Sequence, residues 1–141
     1  MSAGTGVRHS EFNGSDTDPV HFVQIWIVPE SEGLPPRYDQ KRFDAAQKEN
    51  RLRLVASRAG REGSIAIRQD VDLYASVLKP DAETALSLAD GRHLWAQVLR
   101  GGVEINGKRL EAGDGLAASG ERDFAFAAGG YGAELLVFDL A

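Results

Sequence analysis

Two residues near the amino end carry the first chemistry this sequence can be read for. His9 and Glu11 stand two apart in the stretch SAGTGVRHSEFN, residues 2–13. In extended backbone, side chains at i and i+2 project to the same side. An imidazole and a carboxylate would then leave the chain together. Such a pair is half of a non-haem metal site, because imidazole and carboxylate suit iron, manganese, nickel or copper. The same spacing also fits a solvated polar pair near a loose terminus. The residues alone leave both readings open.

Other chemistries find less support. The 141-residue chain has no cysteine, hence no disulfide, no thiolate nucleophile and no cysteine-based zinc site. Its three histidines are His9, His21 and His93, and no His-x-His occurs. Nothing in the spacing brings His21 or His93 near Glu11, and no Ser-His-Asp set can be proposed. Gly101-Gly102 and Gly113–Gly115 resemble phosphate loops only in glycine content, since they lead into strands rather than a helix N-terminus. Asp70 and Asp72 share a strand face and read as solvent-exposed. Net charge is −5, and the basic residues between Lys48 and Arg61 are interspersed with acidic and neutral ones. That pattern describes a solvated loop and gives no field for nucleic acid. No apolar run reaches the roughly 18–20 residues of a membrane helix. The start lacks the basic and apolar regions of a secretory signal, so the cytoplasm is the expected compartment.

The elements that must position these residues are short strands. Leu94–Ala118 is their centre. Gly101-Gly102 and Asn106-Gly107 read as hairpin turns, because glycine reaches positive φ cheaply, and Ala112–Gly115 as a corner. Val103 and Ile105 alternate with Glu104 and Asn106, the period of a half-buried strand. Leu94, Ala96 and Val98 share one face; Trp95, Gln97 and Leu99 share the other. Val71–Leu78 alternates in the same way. Leu52–Ser57, Ser64–Arg68, Phe124–Ala127 and Glu134–Leu140 read as further strands, the last two separated by a turn at Gly129–Gly132. Gln40–Asn50 and Thr84–Leu88 stay ambiguous. Trp95, Phe124 and Phe126 read as core. Phe22–Val28 is apolar on both faces and reads as a strand covered on both sides. Pro29–Pro36 breaks both periods and reads as a linker. The expected class is all-β, an antiparallel barrel or jelly-roll sandwich behind an extended N-terminal arm; its glycine corner, Asn106-Gly107 hairpin and Gly113-Asp114 corner resemble the cupin superfamily, so the barrel is expected to be cupin-like. The expected division is an arm at 1–29, a linker at 30–37 and a barrel at 38–141.

Several motifs together resemble the pirin family. They are Ser2–Asn13, Gln24-Ile25-Trp26-Ile27-Val28-Pro29, Pro36-Arg37-Tyr38-Asp39-Gln40 with Arg42-Phe43, Asp70–Tyr74 and Leu135–Leu140. The similarity is to bacterial pirin-like proteins with quercetin 2,3-dioxygenase activity. The resemblance implies a bicupin whose N-terminal barrel holds a divalent metal (Fe, Cu, Ni, Mn or Zn) on three histidines and a glutamate, acting on a flavonol. It makes His9 the third histidine and Glu11 the glutamate, with Glu11 also available as a base on the substrate hydroxyl. The family's first two histidines form a His-x-His that this sequence lacks. The chain therefore reads as the C-terminal half, beginning at an internal methionine, with two ligands of a four-ligand site and no tightly bound metal of its own. Two functions follow. One is a piece of a metal-dependent dioxygenase, completed by another chain or by upstream residues. The other is a metal-free binding or dimerisation module that self-associates through residues 20–29.

Overall fold

A computed structural model describes all 141 residues. One short helix, α1 (Ala45–Lys48), precedes eight strands: β1 (Arg53–Ser57), β2 (Ile65–Ala66), β3 (Val71–Leu78), β4 (Glu83–Ser87), β5 (His93–Ile105), β6 (Lys108–Glu111), β7 (Gly115–Ser119) and β8 (Asp123–Leu140). They form the expected cupin sandwich. All pairings are antiparallel except the two-residue β1–β2 contact, which is parallel.

β5 and β8 organise the sandwich. β8 pairs β3 and the first part of β5 through Ala133–Leu140. Through Asp123–Ala128 it pairs β4 and the last part of β5. Each strand therefore belongs to both layers and must bend between them. Two expectations are corrected at that bend. Gly101-Gly102 is no hairpin turn: β5 continues through it as one bent strand, with ladder shifts between Val98 and Arg100 and between Gly101 and Val103. Gly129–Gly132 does not separate two strands either. It is an excursion within β8 that leaves the ladder after Ala128 and rejoins at Ala133. Extra residues on one strand bend it and sharpen its twist, which turns the sheet here. Gly101 (φ 69°) and Gly132 (φ 76°) touch backbone to backbone, so a Cβ on Gly101 would collide with the Gly132 carbonyl. Asn106-Gly107 does form the β5–β6 hairpin, both residues at positive φ.

Alternation decides what lies inside. Leu94, Ala96, Val98, Val103 and Ile105 of β5 meet Phe124, Phe126, Leu135 and Val137 of β8, all buried, in one core. The other face of the same sheet is also apolar. There Val71, Leu73, Phe138 and Ala56 form a second cluster joined by Ile27, Leu136 and Leu140. Thr84–Leu88 resolves largely into β4, and Gln40–Asn50 holds the single turn of α1.

Phe22–Val28 corrects a third expectation. It is not a strand of any sheet, and no backbone hydrogen bond ties Phe22–Ile27. The segment lies extended across the second apolar face. Ile27 turns inward, while Phe22, Trp26 and Val28 stay 63%, 87% and 81% exposed. Covering on both sides needs a second surface, and the chain supplies one.

Candidate functional site

His9 and Glu11 do project together. The His9 Nε2 to Glu11 Oε1 distance is 3.8 Å and both side chains are about half exposed, as the two-residue spacing in extended backbone requires. The structure brings no other candidate to them. His21 Nδ1 lies 3.3 Å from the Arg100 guanidinium. His93 opens β5, and its Nδ1 sits 2.8 Å from Ser119 Oγ on β7. No group of three or more His, Cys, Asp or Glu side chains is gathered so as to hold a metal ion. A closed site needs about four donors near 2 Å with defined geometry. The residues present supply two, on an exposed arm, and do not fit a resident metal by themselves.

An apolar concavity lies elsewhere, between residues 23–28 and the outward face of β3, β5 and β8. It is a groove of about 650 Å³, floored by Val71, Trp95, Leu136, Phe138 and Leu140. The arm is held at few points. Gln69 Nε2 donates to the Val28 carbonyl (2.7 Å), Glu30 N–H donates to the Arg68 carbonyl (3.2 Å), and Glu30 pairs with Arg58 (2.8 Å). Trp95 was expected in the core. It is 39% exposed instead, against the groove. Its place was readable from its alternation with Leu94 and Ala96, which puts it on the face opposite the buried one.

Ion pairs close the end of the sandwich where β3 starts and β8 finishes. Asp70 and Asp72, read as simply solvated, both belong to them. Arg92 Nε donates to the Asp139 carboxylate, Nη2 donates to the Asp139 carbonyl (3.0 Å), and Nη1 donates to Asp70 (3.1 Å). Burial works to lower the pKa of the Arg92 guanidinium, but the hydrogen bond and charge of Asp139, then of Asp70, outweigh it and leave it raised. Arg61 donates to Asp72 and to the Tyr74 hydroxyl (3.3 Å). The bond to Asp72, then that to Tyr74, raises Arg61. Tyr74 is raised too, first because burial disfavours the phenolate; Arg61 offsets this in part. These groups hold one another and leave no free acid or base. Sequence reading missed them because the arginines stand far from their carboxylates along the chain.

The comparisons with known proteins follow the fold. The family profile for the quercetinase C-terminal cupin domain matches residues 54–140. The chain is 45% identical over 140 residues to a quercetin 2,3-dioxygenase of Escherichia coli strain K12, covering 99% of this chain and 59% of that protein. Among solved structures it resembles YhhW from Escherichia coli, with a TM-score of 0.76 at 40% identity, covering 82% of this chain and 48% of that one. A second structure, of the bacterial pirin YhhW in complex with nickel(II), gives 0.74 at 39% identity, covering the same shares of each chain. The chain thus spans well under two thirds of the length of these relatives. A buried β5–β8 core, a second apolar face on the same sheet and a matching profile over most of the barrel agree: this chain belongs to the pirin family and carries its quercetinase-type C-terminal cupin domain.

Proposed function

We propose that this chain is the metal-free, C-terminal cupin half of a pirin-type, quercetin 2,3-dioxygenase-like protein of the cytoplasm. It acts as a structural and dimerisation module and does not catalyse by itself. In this reading residues 1–29 are the tail of a preceding barrel, 30–37 a linker and 38–141 the cupin barrel. One observation carries it: only His9 and Glu11 converge, while His21 and His93 are held by Arg100 and Ser119. Two donors grip a divalent ion weakly, and the barrel interior offers apolar side chains in place of ligands.

A second reading has its own support. The convergence of His9 and Glu11 at 3.8 Å suits shared ligation, and a solved relative carries nickel. Here the site is completed by another chain or by upstream residues, Glu11 serves as a ligand and as a base, and a flavonol is the substrate. Metal analysis with oxygen uptake on quercetin separates the two. The first reading expects substoichiometric metal, no uptake and a folded protein. It also expects His9→Ala to leave the melting temperature unchanged with or without added nickel. Stoichiometric metal with turnover, lost in His9→Ala, would overturn it.

A further inference from the structure

The β5–β6 hairpin turns on Asn106-Gly107, and its asparagine is tied to the start of β8. Asn106 Nδ2 donates to the Asp123 carbonyl (2.8 Å) and to the Glu121 carboxylate (3.3 Å), while Oδ1 accepts the Ala125 N–H (2.8 Å). The Asn106 N–H donates to the Ala125 carbonyl (3.2 Å), so this residue carries the β5–β8 ladder past its last regular pair, Ile105 with Phe126. Beside the fixed carboxamide stands a nucleophile that nothing holds. The Gly107 N–H donates to no backbone carbonyl, and open space lies where a Cβ would sit. We propose that Asn106 is a deamidation site held shut by β8: it converts only when the hairpin opens, and conversion then keeps the hairpin open.

The chemistry needs only water. The Gly107 amide nitrogen, once deprotonated, attacks Asn106 Cγ. The new C–N bond closes a succinimide ring, and the Cγ–Nδ2 bond breaks as ammonia leaves. Water then opens the ring at either carbonyl and gives aspartate or isoaspartate. A carboxamide and water go in, a carboxylate and an ammonium ion come out, and nothing is oxidised or reduced. Attack requires Cγ to swing toward the Gly107 nitrogen, which the bonds to Glu121, Asp123 and Ala125 oppose. The product no longer fits. An ionised carboxylate donates nothing, so the Asp123 carbonyl loses its donor and a second anion faces Glu121. Isoaspartate also adds a carbon to the main chain inside a turn whose residues both sit at positive φ.

A second Asn-Gly pair, Asn13-Gly14, provides an internal reference. Its amide is bonded only within its own exposed loop, donating to the Asp18 carbonyl (2.6 Å) and accepting from the Ser15 N–H (3.1 Å). The wild-type chain is incubated in mildly alkaline buffer, folded and in concentrated urea. Each site is followed by peptide mass and by enzymatic methylation of isoaspartate. In urea the two sites are expected to convert at the same pace. In the folded chain Asn106 is expected to lag Asn13 by at least about tenfold, because only local opening frees it. Equal rates at the two sites in the folded chain would overturn the proposal. Asn106→Asp installs the product's charge directly. It is expected to lower the urea midpoint and to speed exchange of the amide proton at position 106 by at least about tenfold. A midpoint and an exchange rate equal to those of wild type would refute the claim that conversion holds the hairpin open.

Discussion

Replacing Arg92 by alanine tests the ion-pair end of the sandwich most directly. Arg92 and Asp139 are only 18% and 11% exposed in their side chains, so water does little to screen them. The guanidinium gives three bonds across two strand ends: two to Asp139 on β8 and one to Asp70 just before β3. Alanine leaves the Asp139 carboxylate buried without its cation. Removing one partner of a buried pair costs about 3–5 kcal/mol, a large share of the about 5–15 kcal/mol that holds a domain of this kind. In urea, with a slope of about 2 kcal/mol/M for a small domain, the midpoint should fall by roughly 2 M. The double variant Arg92→Met with Asp139→Leu should recover most of the loss, because an apolar pair of similar volume avoids the cost of desolvating charge. The double-mutant cycle then gives the coupling. A loss for Arg92→Ala below about 1 kcal/mol is the value of an exposed pair. It would show that water reaches Asp139 and that the clamp is ornamental.

Three further outcomes follow from the same description. Tyr74 has a raised pKa in the fold, so its contribution is complete below the unfolded value near 10 and is lost as pH rises through the higher folded value. Wild type should therefore lose stability above about pH 10, and Tyr74→Phe should flatten that loss in denaturation curves taken across the alkaline range. Gly101→Ala should cost about 2–3 kcal/mol, since it forces a Cβ into the Gly132 backbone at positive φ; a thermal melt equal to wild type would contradict that contact. Ile105→Ala, at 1% exposure, should cost about 2–5 kcal/mol by urea titration, and Val98→Ala somewhat less.

Much of the barrel was legible because side-chain period is a local property. Val71–Leu78 appears with its expected bounds, and Asn106-Gly107 turns where glycine chemistry says it should. Glycines at 101–102 and 129–132 misled because positive φ serves a bulge as well as a hairpin, and only the partner strand tells them apart. The pairs Arg92–Asp139 and Arg61–Asp72 were hidden for a related reason: their partners stand 47 and 11 residues apart. At the candidate site, the spacing of His9 and Glu11 foretold that they would converge. Which surfaces would meet Phe22–Val28 was not readable, since an apolar segment fits a sheet ladder or an open groove equally well by pattern.

The placement of β8 has a consequence for how the molecule comes into being. It is the last strand in chain order, yet it joins β3, β4 and β5. Val71 waits for Leu140, 69 positions later. While the polypeptide emerges from a ribosome, those three strands have apolar faces and unmatched edges but no central member to close on. Non-local pairing of this kind is slow and leaves sticky surfaces exposed in the meantime. The nascent chain should therefore depend on being shielded until β8 has emerged to join its three partners.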